Sequence, residues 1–296
     1  MKVGLTIPTM IAGTGREATL AWARQVDAGP FSILGVGERT TFDNLEQITT
    51  LAAIAAVTER VELLANAVVL PMHNEVVVAK QTATIDVLSN GRLVLGVAVG
   101  GREEDFRAVG APFTRRLKRL EEGVATMRRI WAGEPAVPDS HPVGPSPIGN
   151  GGPPILIAAM TPAGLRAGAR FADGLSGWSL GPDGDQIEAS RAAFSKAWGQ
   201  AGRQGSPRLL TGFWYAVGSG GSQRLDDYVQ RYTRVFGPDA AQAMAGACRA
   251  NSAAALRQGL RDCRDAGADE VILVPTTDCP DEIDEVAAIA EEFKAS

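Results

Sequence analysis

The chain predicts an α/β fold, a single (β/α)8 barrel over residues 1–296. Three observations predict it. Short apolar runs alternate with stretches at helical spacing eight times, the order that a parallel barrel requires. The run Leu93-Val94-Leu95-Gly96-Val97-Ala98-Val99 is apolar on both faces, as a strand covered by helices must be. No repeat, linker or composition break divides the chain, and roughly 250 residues suffice for one such barrel. A doubly wound open sheet is the competing arrangement. Pro8-Thr9-Met10 stands where that fold would carry a glycine-rich turn.

In order, Lys2–Ile7 is a first strand closed by Pro8, and Arg16–Ala28 a helix with Leu20, Ala23 and Val26 on one side. Gly29-Pro30 breaks it before a second strand, Phe31–Gly37, which ends at Glu38-Arg39. Leu45–Val57 is a helix with apolar residues or alanine on nearly every face, which predicts burial all round, under neighbours or against a second copy. Val61–Leu70 is the third strand, stopped by Pro71. The next helix carries Ile85, Val87 and Leu88 towards the core and stops at Asn90-Gly91, residues that tolerate left-handed backbone. After the fourth strand, Gly100-Gly101 leaves room for a flat group to approach the backbone, and Arg102-Glu103-Glu104 reads as a solvated loop. Leu117, Leu120, Val124, Met127 and Trp131 form a stripe read as core. The segment 133–154, between strands four and five, is a Pro/Gly-rich excursion. It is expected to form a lid or to pass over the barrel mouth. Ile155–Ala158, Gly174–Trp178, Leu209–Val217 and Glu270–Val274 complete the strands. Helices Pro162–Phe171, Gln186–Gln200, Leu225–Phe236, Asp239–Cys248, Ser252–Ala266 and Asp281–Lys294 are interleaved with them.

Composition narrows the function. The net charge is −5 without a Lys/Arg block, which argues against a nucleic-acid surface. No apolar run approaches the ~20 residues of a membrane span, and Met1-Lys2-Val3 enters the first strand directly, so a cytoplasmic protein is expected. Cys248, Cys263 and Cys279 are widely spaced and read as reduced thiols. With only His73 and His141 besides them, no metal ligand set is expected.

A barrel works at the C-terminal ends of its strands. Those ends here are mostly small or apolar: Asn66 to Leu70, Ala98 to Gly101, Ala158 to Thr161, Trp178-Ser179. They offer no nucleophile elbow and no carboxylate pair, which fits an enzyme whose cofactor carries the reaction. Ala158-Ala159-Met160-Thr161-Pro162 is the best anion candidate, because Thr161 can cap the following helix and leave its positive end facing the mouth. Gly218–Ser222 is a competing phosphate loop or a simple connection. Glu38 and Arg39 either take part in chemistry or form an ion pair bracing the rim. Arginine stays protonated, so a role for Arg39 would be electrostatic. His73 either titrates near the site or bonds locally.

Ala79-Lys80-Gln81, Asp86 to Leu93 and Leu95 to Gly101 closely resemble the bacterial luciferase-like oxidoreductases, and Glu104-Asp105-Phe106, Gly110 to Phe113, Pro154 to Ala158 and Ala172-Asp173-Gly174 continue the likeness. The resemblance implies a (β/α)8 barrel that uses reduced FMN or the deazaflavin coenzyme F420. It implies a small organic substrate, a separate flavin or F420 reductase and a homodimer built on the Leu45–Val57 region. Relatives carry a non-proline cis peptide near Asn66-Ala67-Val68, under the flavin ring. Ala98, Gly100, Gly101, Ala158, Ala159, Met160, Thr161, Trp178 and Ser179 then fall at the cofactor. Glu38 matches the family's acidic position, whereas Arg39 replaces its histidine. Gly101 stands where sugar-oxidising relatives have a glutamate, and Val99 where luciferases hold the flavin phosphate with an arginine. The reading is oxygen insertion with reduced FMN and O2. F420-dependent hydride transfer is the alternative, and a non-catalytic flavin-binding barrel is the alternative of another class.

Overall fold

The structure is a computed structural model that describes residues 1–294. Among the described residues, eight parallel strands close into one barrel in chain order: β1 (Lys2–Thr6), β2 (Ile33–Val36), β3 (Glu62–Val68), β4 (Leu93–Ala98), β5 (Ile155–Ala158), β6 (Gly174–Ser176), β7 (Arg208–Tyr215) and β8 (Glu270–Pro275). The helices between them are α1 (Arg16–Ala28), α2 (Gln47–Ala55), α3 (Glu75–Leu88), α4 (Glu103–Ala108), α5 (Arg116–Trp131), α6 (Pro162–Phe171) and α7 (Gly184–Gln200). Three more, α8 (Gly221–Thr233), α9 (Pro238–Ala247) and α10 (Ala253–Asp265), lie between β7 and β8, and α11 (Asp281–Glu291) follows.

The barrel interior is packed and is not a pore. Ile33, Leu64, Val94, Leu156, Leu210 and Ile272 point inward from six strands and form one buried layer. The other two strands place glycine at that level. A Cβ on Gly4 would stand 2.2 Å from Ile33 Cγ2, and one on Gly174 would stand 2.9 Å from Leu156 Cδ2. Below this layer Arg208 makes two bonds to Glu62, at 3.1 and 2.6 Å, and pairs with Glu270. Side chains thus close the N-terminal end, and only the C-terminal end is open.

Several expectations are corrected. Ile85 is buried, but Val87 is 40% and Leu88 57% exposed, because α3 turns its last residues outward before Asn90 (φ 55°) and Gly91 (φ 79°). The Arg92 guanidinium then donates to the carbonyls of Thr58 and Val61, tying the end of β3's entry loop to β4. Within the single chain α2 turns Ile48, Leu51 and Ile54 inward and leaves Ala53 and the following Ala56 exposed, so neighbouring elements alone do not cover it. The residues after Gly101 are no solvated loop but α4, which buries Phe106 and Asp105. Segment 133–154 contains no helix or strand, yet it does not cover the mouth. It lies along α3, where Lys80 Nζ donates to the Gly144 carbonyl at 2.8 Å and the Ile148 amide to Asp86 at 2.8 Å. Part of the expected loose connection at 218–222 is the first turn of α8.

Candidate active site

A cavity of about 800 Å3 opens at the C-terminal ends of the strands. Every strand contributes to its wall through its end or the loop that follows. The polypeptide reaches the floor through small residues, Ala67, Ala98 and Ser176, beside Thr6 and Asn66. The Asn66–Ala67 peptide is cis, within the stretch expected from the resemblance.

On the β4–β5 side the wall combines exposed backbone with positive charge. Gly100, at φ 72°, passes so close to its neighbours that a Cβ would stand 2.4 Å from Val69 Cγ1. Thr161 caps α6, accepting from the Gly164 amide at 3.2 Å. Among the described residues, the N–H groups of Met160 and Thr161 have no backbone partner. Arg115, Arg116 and Lys118 line this side of the cavity, while Arg102 reaches away from them over the Tyr232 and Phe236 rings, and among the described residues Glu38 is the one lining carboxylate. Three cations clustered on this side, in a chain of net charge −5, mark a place for an anionic ligand. Arg116 also lies 3.8 Å over the Phe113 ring, which fixes its guanidinium at the rim.

Glu38 stands at the end of β2 with its side chain only 8% exposed. One carboxylate oxygen accepts from the Val69 amide, and the other lies 2.5 Å from His73 Nε2. Burial lowers the pKa of His73, but the hydrogen bond and charge of Glu38 outweigh it and raise it overall. The Glu38–Arg39 ion pair does not form. Arg39 is 7% exposed and leaves the cavity wall, pairing with Glu104 at 3.2 Å and Asp105 at 3.5 Å. Its guanidinium packs 4.7 Å from the Phe42 centroid and 5.4 Å from that of Tyr232.

Of the other expected site residues, the cavity collects Asn66, Ala67, Ala98, Gly100, Gly101, Ala158, Ala159, Met160, Thr161 and Trp178. Val68 and Ser179 point away: Val68 is packed in the core, and Ser179 Oγ donates to the Gly181 carbonyl at 2.6 Å. The cationic edge and an aromatic wall from α8 were not anticipated. Arg115-Arg116-Leu117-Lys118 could have signalled the first, and Tyr228 and Tyr232, four residues apart on one helix, the second. Leu117, expected in the core, instead reaches the cavity.

The sequence profile of the luciferase-like monooxygenases matches residues 1–285. The chain belongs to that family. An uncharacterised protein of Mycobacterium tuberculosis is 35% identical to this luciferase-like chain over 174 residues, 56% of this chain and 60% of the relative. Pyrimidine monooxygenase RutA of Pantoea ananatis is 34% identical over 153 residues, 47% of this chain and 41% of RutA. The match thus spans 60% or less of these relatives' own lengths. Monooxygenase RslO1 from Streptomyces bottropensis superposes with a TM-score of 0.79 at 22% identity, covering 99% of this chain and 98% of the other. An F420-dependent secondary alcohol dehydrogenase, solved with an F420-acetone adduct, superposes at 0.80 with 15% identity over 100% of both chains. At these identities the structures show that the luciferase-like barrel is shared.

Proposed function

We propose that this luciferase-like protein is a monooxygenase that uses reduced FMN and O2 on a small organic substrate. The observation that carries the reading is the cationic, small-residue wall at β4–β5 in a barrel of this family. A flat cofactor with an anionic tail fits it. The ring system would rest against Ala67, Ala98 and the Gly100-Gly101 backbone, and the phosphate would meet Arg115, Arg116, Lys118 and the Met160–Thr161 amides. Thr6 and Thr9 lie on the cavity wall, and among the described residues their buried hydroxyls have no hydrogen-bond partner. When bound, reduced flavin supplies the electrons that activate oxygen.

The chain's own residues do the rest. Aromatic side chains on the far wall exclude water from the reacting centre. Glu38, held by the Val69 amide, takes a proton from the substrate, and His73, 29% exposed, passes it to solvent. Arg39 holds α4 in place through Glu104 and Asp105 without entering the cavity. The protein would act in the cytoplasm with a separate flavin reductase. It would dimerise through the outer faces of α2 and α3, where Val77 is 52% and Leu88 57% exposed.

A second reading rests on the exposure of Arg115 and Lys118 at the cavity edge, which suits the longer anionic tail of F420 and hydride transfer. Oxygen uptake by the purified protein with FMN, NADH and a flavin reductase separates the readings. Substrate-dependent uptake with incorporation of labelled oxygen into product is expected. Turnover with F420H2 alone, insensitive to removal of oxygen, would transfer the enzyme to the second reading.

A further inference from the structure

The wall opposite the cationic edge has its own chemistry. Trp178, Trp214, Tyr228, Tyr232, Phe236 and Met244 converge there from β6, β7, α8, the turn after it and α9. Most belong to or pack on a hydrophobic cluster separate from the barrel core. Trp178 and Trp214 meet edge to face at 4.6 Å, Trp214 and Tyr232 at 5.4 Å, and Tyr228 stacks parallel to Tyr232 at 6.1 Å. A surface built from ring faces and a thioether is shaped for flat π systems.

Arg102 crosses the mouth to reach this wall. Its guanidinium lies 4.7 Å from the Tyr232 centroid and 5.5 Å from that of Phe236. Neighbouring Arg39 is neutralised by Glu104 and Asp105, but among the described residues Arg102 makes no ion pair. Arg231, over Phe42 and Tyr228, likewise has no carboxylate among the described residues and donates only to the Met10 carbonyl. Two uncompensated guanidinium groups against aromatic faces create a positive field where the rings would hold a ligand.

We infer that this compartment binds a planar aromatic molecule carrying an anionic oxygen, a carboxylate or phenolate, with its rings on the Tyr232–Phe236 wall and the terminal nitrogens of the Arg102 guanidinium donating to the anion. The inference rests on the proposed function in placing the cofactor on the opposite wall, and it names the substrate class of that site. Arg102 is then the residue that reads charge, and the aromatic wall reads shape.

The test is calorimetric binding of 2-naphthoate, its neutral isostere 2-naphthamide and non-planar cyclohexanecarboxylate to the full chain, with and without FMN. The expected result is naphthoate binding at least about tenfold tighter than either comparator. In Arg102→Gln the advantage over naphthamide is lost while FMN affinity is retained, which also shows the variant to be folded. Phe236→Ala, at a ring 44% exposed, weakens both naphthalene ligands without affecting cyclohexanecarboxylate. Equal binding of naphthoate and naphthamide overturns the inference, as does cyclohexanecarboxylate binding as tightly as naphthoate. So does an Arg102→Gln variant that loses FMN and keeps naphthoate. Failure of FMN and F420 to bind would overturn the proposed function instead, and the naphthoate comparison would still decide the compartment.

Discussion

Glu38 follows β2, His73 follows the turn after β3, and they meet at 2.5 Å, a contact between residues 35 apart in sequence that no local pattern announces. The folded pKa of His73 lies above its ordinary 6.5, so the pair stabilises the fold fully below that value and loses its contribution as pH rises through the folded pKa. His73→Gln is therefore expected to lower the melting temperature near about pH 6 and to make little difference near about pH 9. Thermal scans across that range check the sign. Glu38→Gln keeps the shape but removes the carboxylate that the proposed function uses as a base, and a fall in turnover of about a hundredfold is expected with cofactor affinity nearly unchanged. Glu282 shows the same sign. Burial outweighs its 2.7 Å pairing with Arg224 and lifts its carboxyl to about 7, so the folded state binds the extra proton and stability falls as pH rises from about 4.5 towards 7. Glu282→Gln should flatten that limb of the stability profile. Glu38 was legible as an acidic strand end, but Arg39 was not legible as its neighbour's opposite: adjacent residues at a strand end point different ways, and Glu104-Asp105 drew Arg39 out of the cavity. Arg102 was hidden for the same reason, because only the fold brings α8 to meet it.

At the scale of elements, hydrophobic period placed all eight strands, with bounds that differ by at most two residues. Glycines in the strands show what pattern alone leaves out. Gly4 reads as a weak spot in β1, yet its bare Cα is what lets Ile33 and Ile272 fill the barrel. Gly4→Ala would put a Cβ 2.7 Å from the Ile33 carbonyl oxygen as well as against its side chain, so a loss of about 1–3 kcal/mol in denaturant titrations is expected. Pairing it with Ile33→Val should recover part of that loss. α5 packs on α3 through the Trp131 indole, which donates to the Ala79 carbonyl at 3.0 Å. The excursion 133–154 was misplaced because composition reports irregular backbone without saying which end of a barrel it visits. Asp86, buried at 2% exposure, is what holds it to α3. α4 was missed because six residues are too few for a helical period to show.

For the whole molecule, the barrel separates its tasks by end. The Arg208–Glu62–Glu270 cluster closes the N-terminal end, and the cationic and aromatic walls face one another at the other. Family membership was legible because the strand-four region carries it, and the aromatic wall was not, because its rings come from four separate elements. Among the described residues no helix is long and apolar enough to cross a membrane. If the outer faces of α2 and α3 join two copies, Leu88→Glu should convert a dimer to a monomer in sedimentation velocity with the barrel's circular dichroism unchanged. The most direct measurement is calorimetric titration of the purified chain with FMN and with F420, alongside Arg115→Gln/Lys118→Gln. Saturable FMN binding is expected, roughly fivefold weaker in the double variant at low salt and converging with it at high salt. If neither cofactor binds, or if FMN binds indifferently to loss of both charges, the cofactor site described at β4–β5 is contradicted.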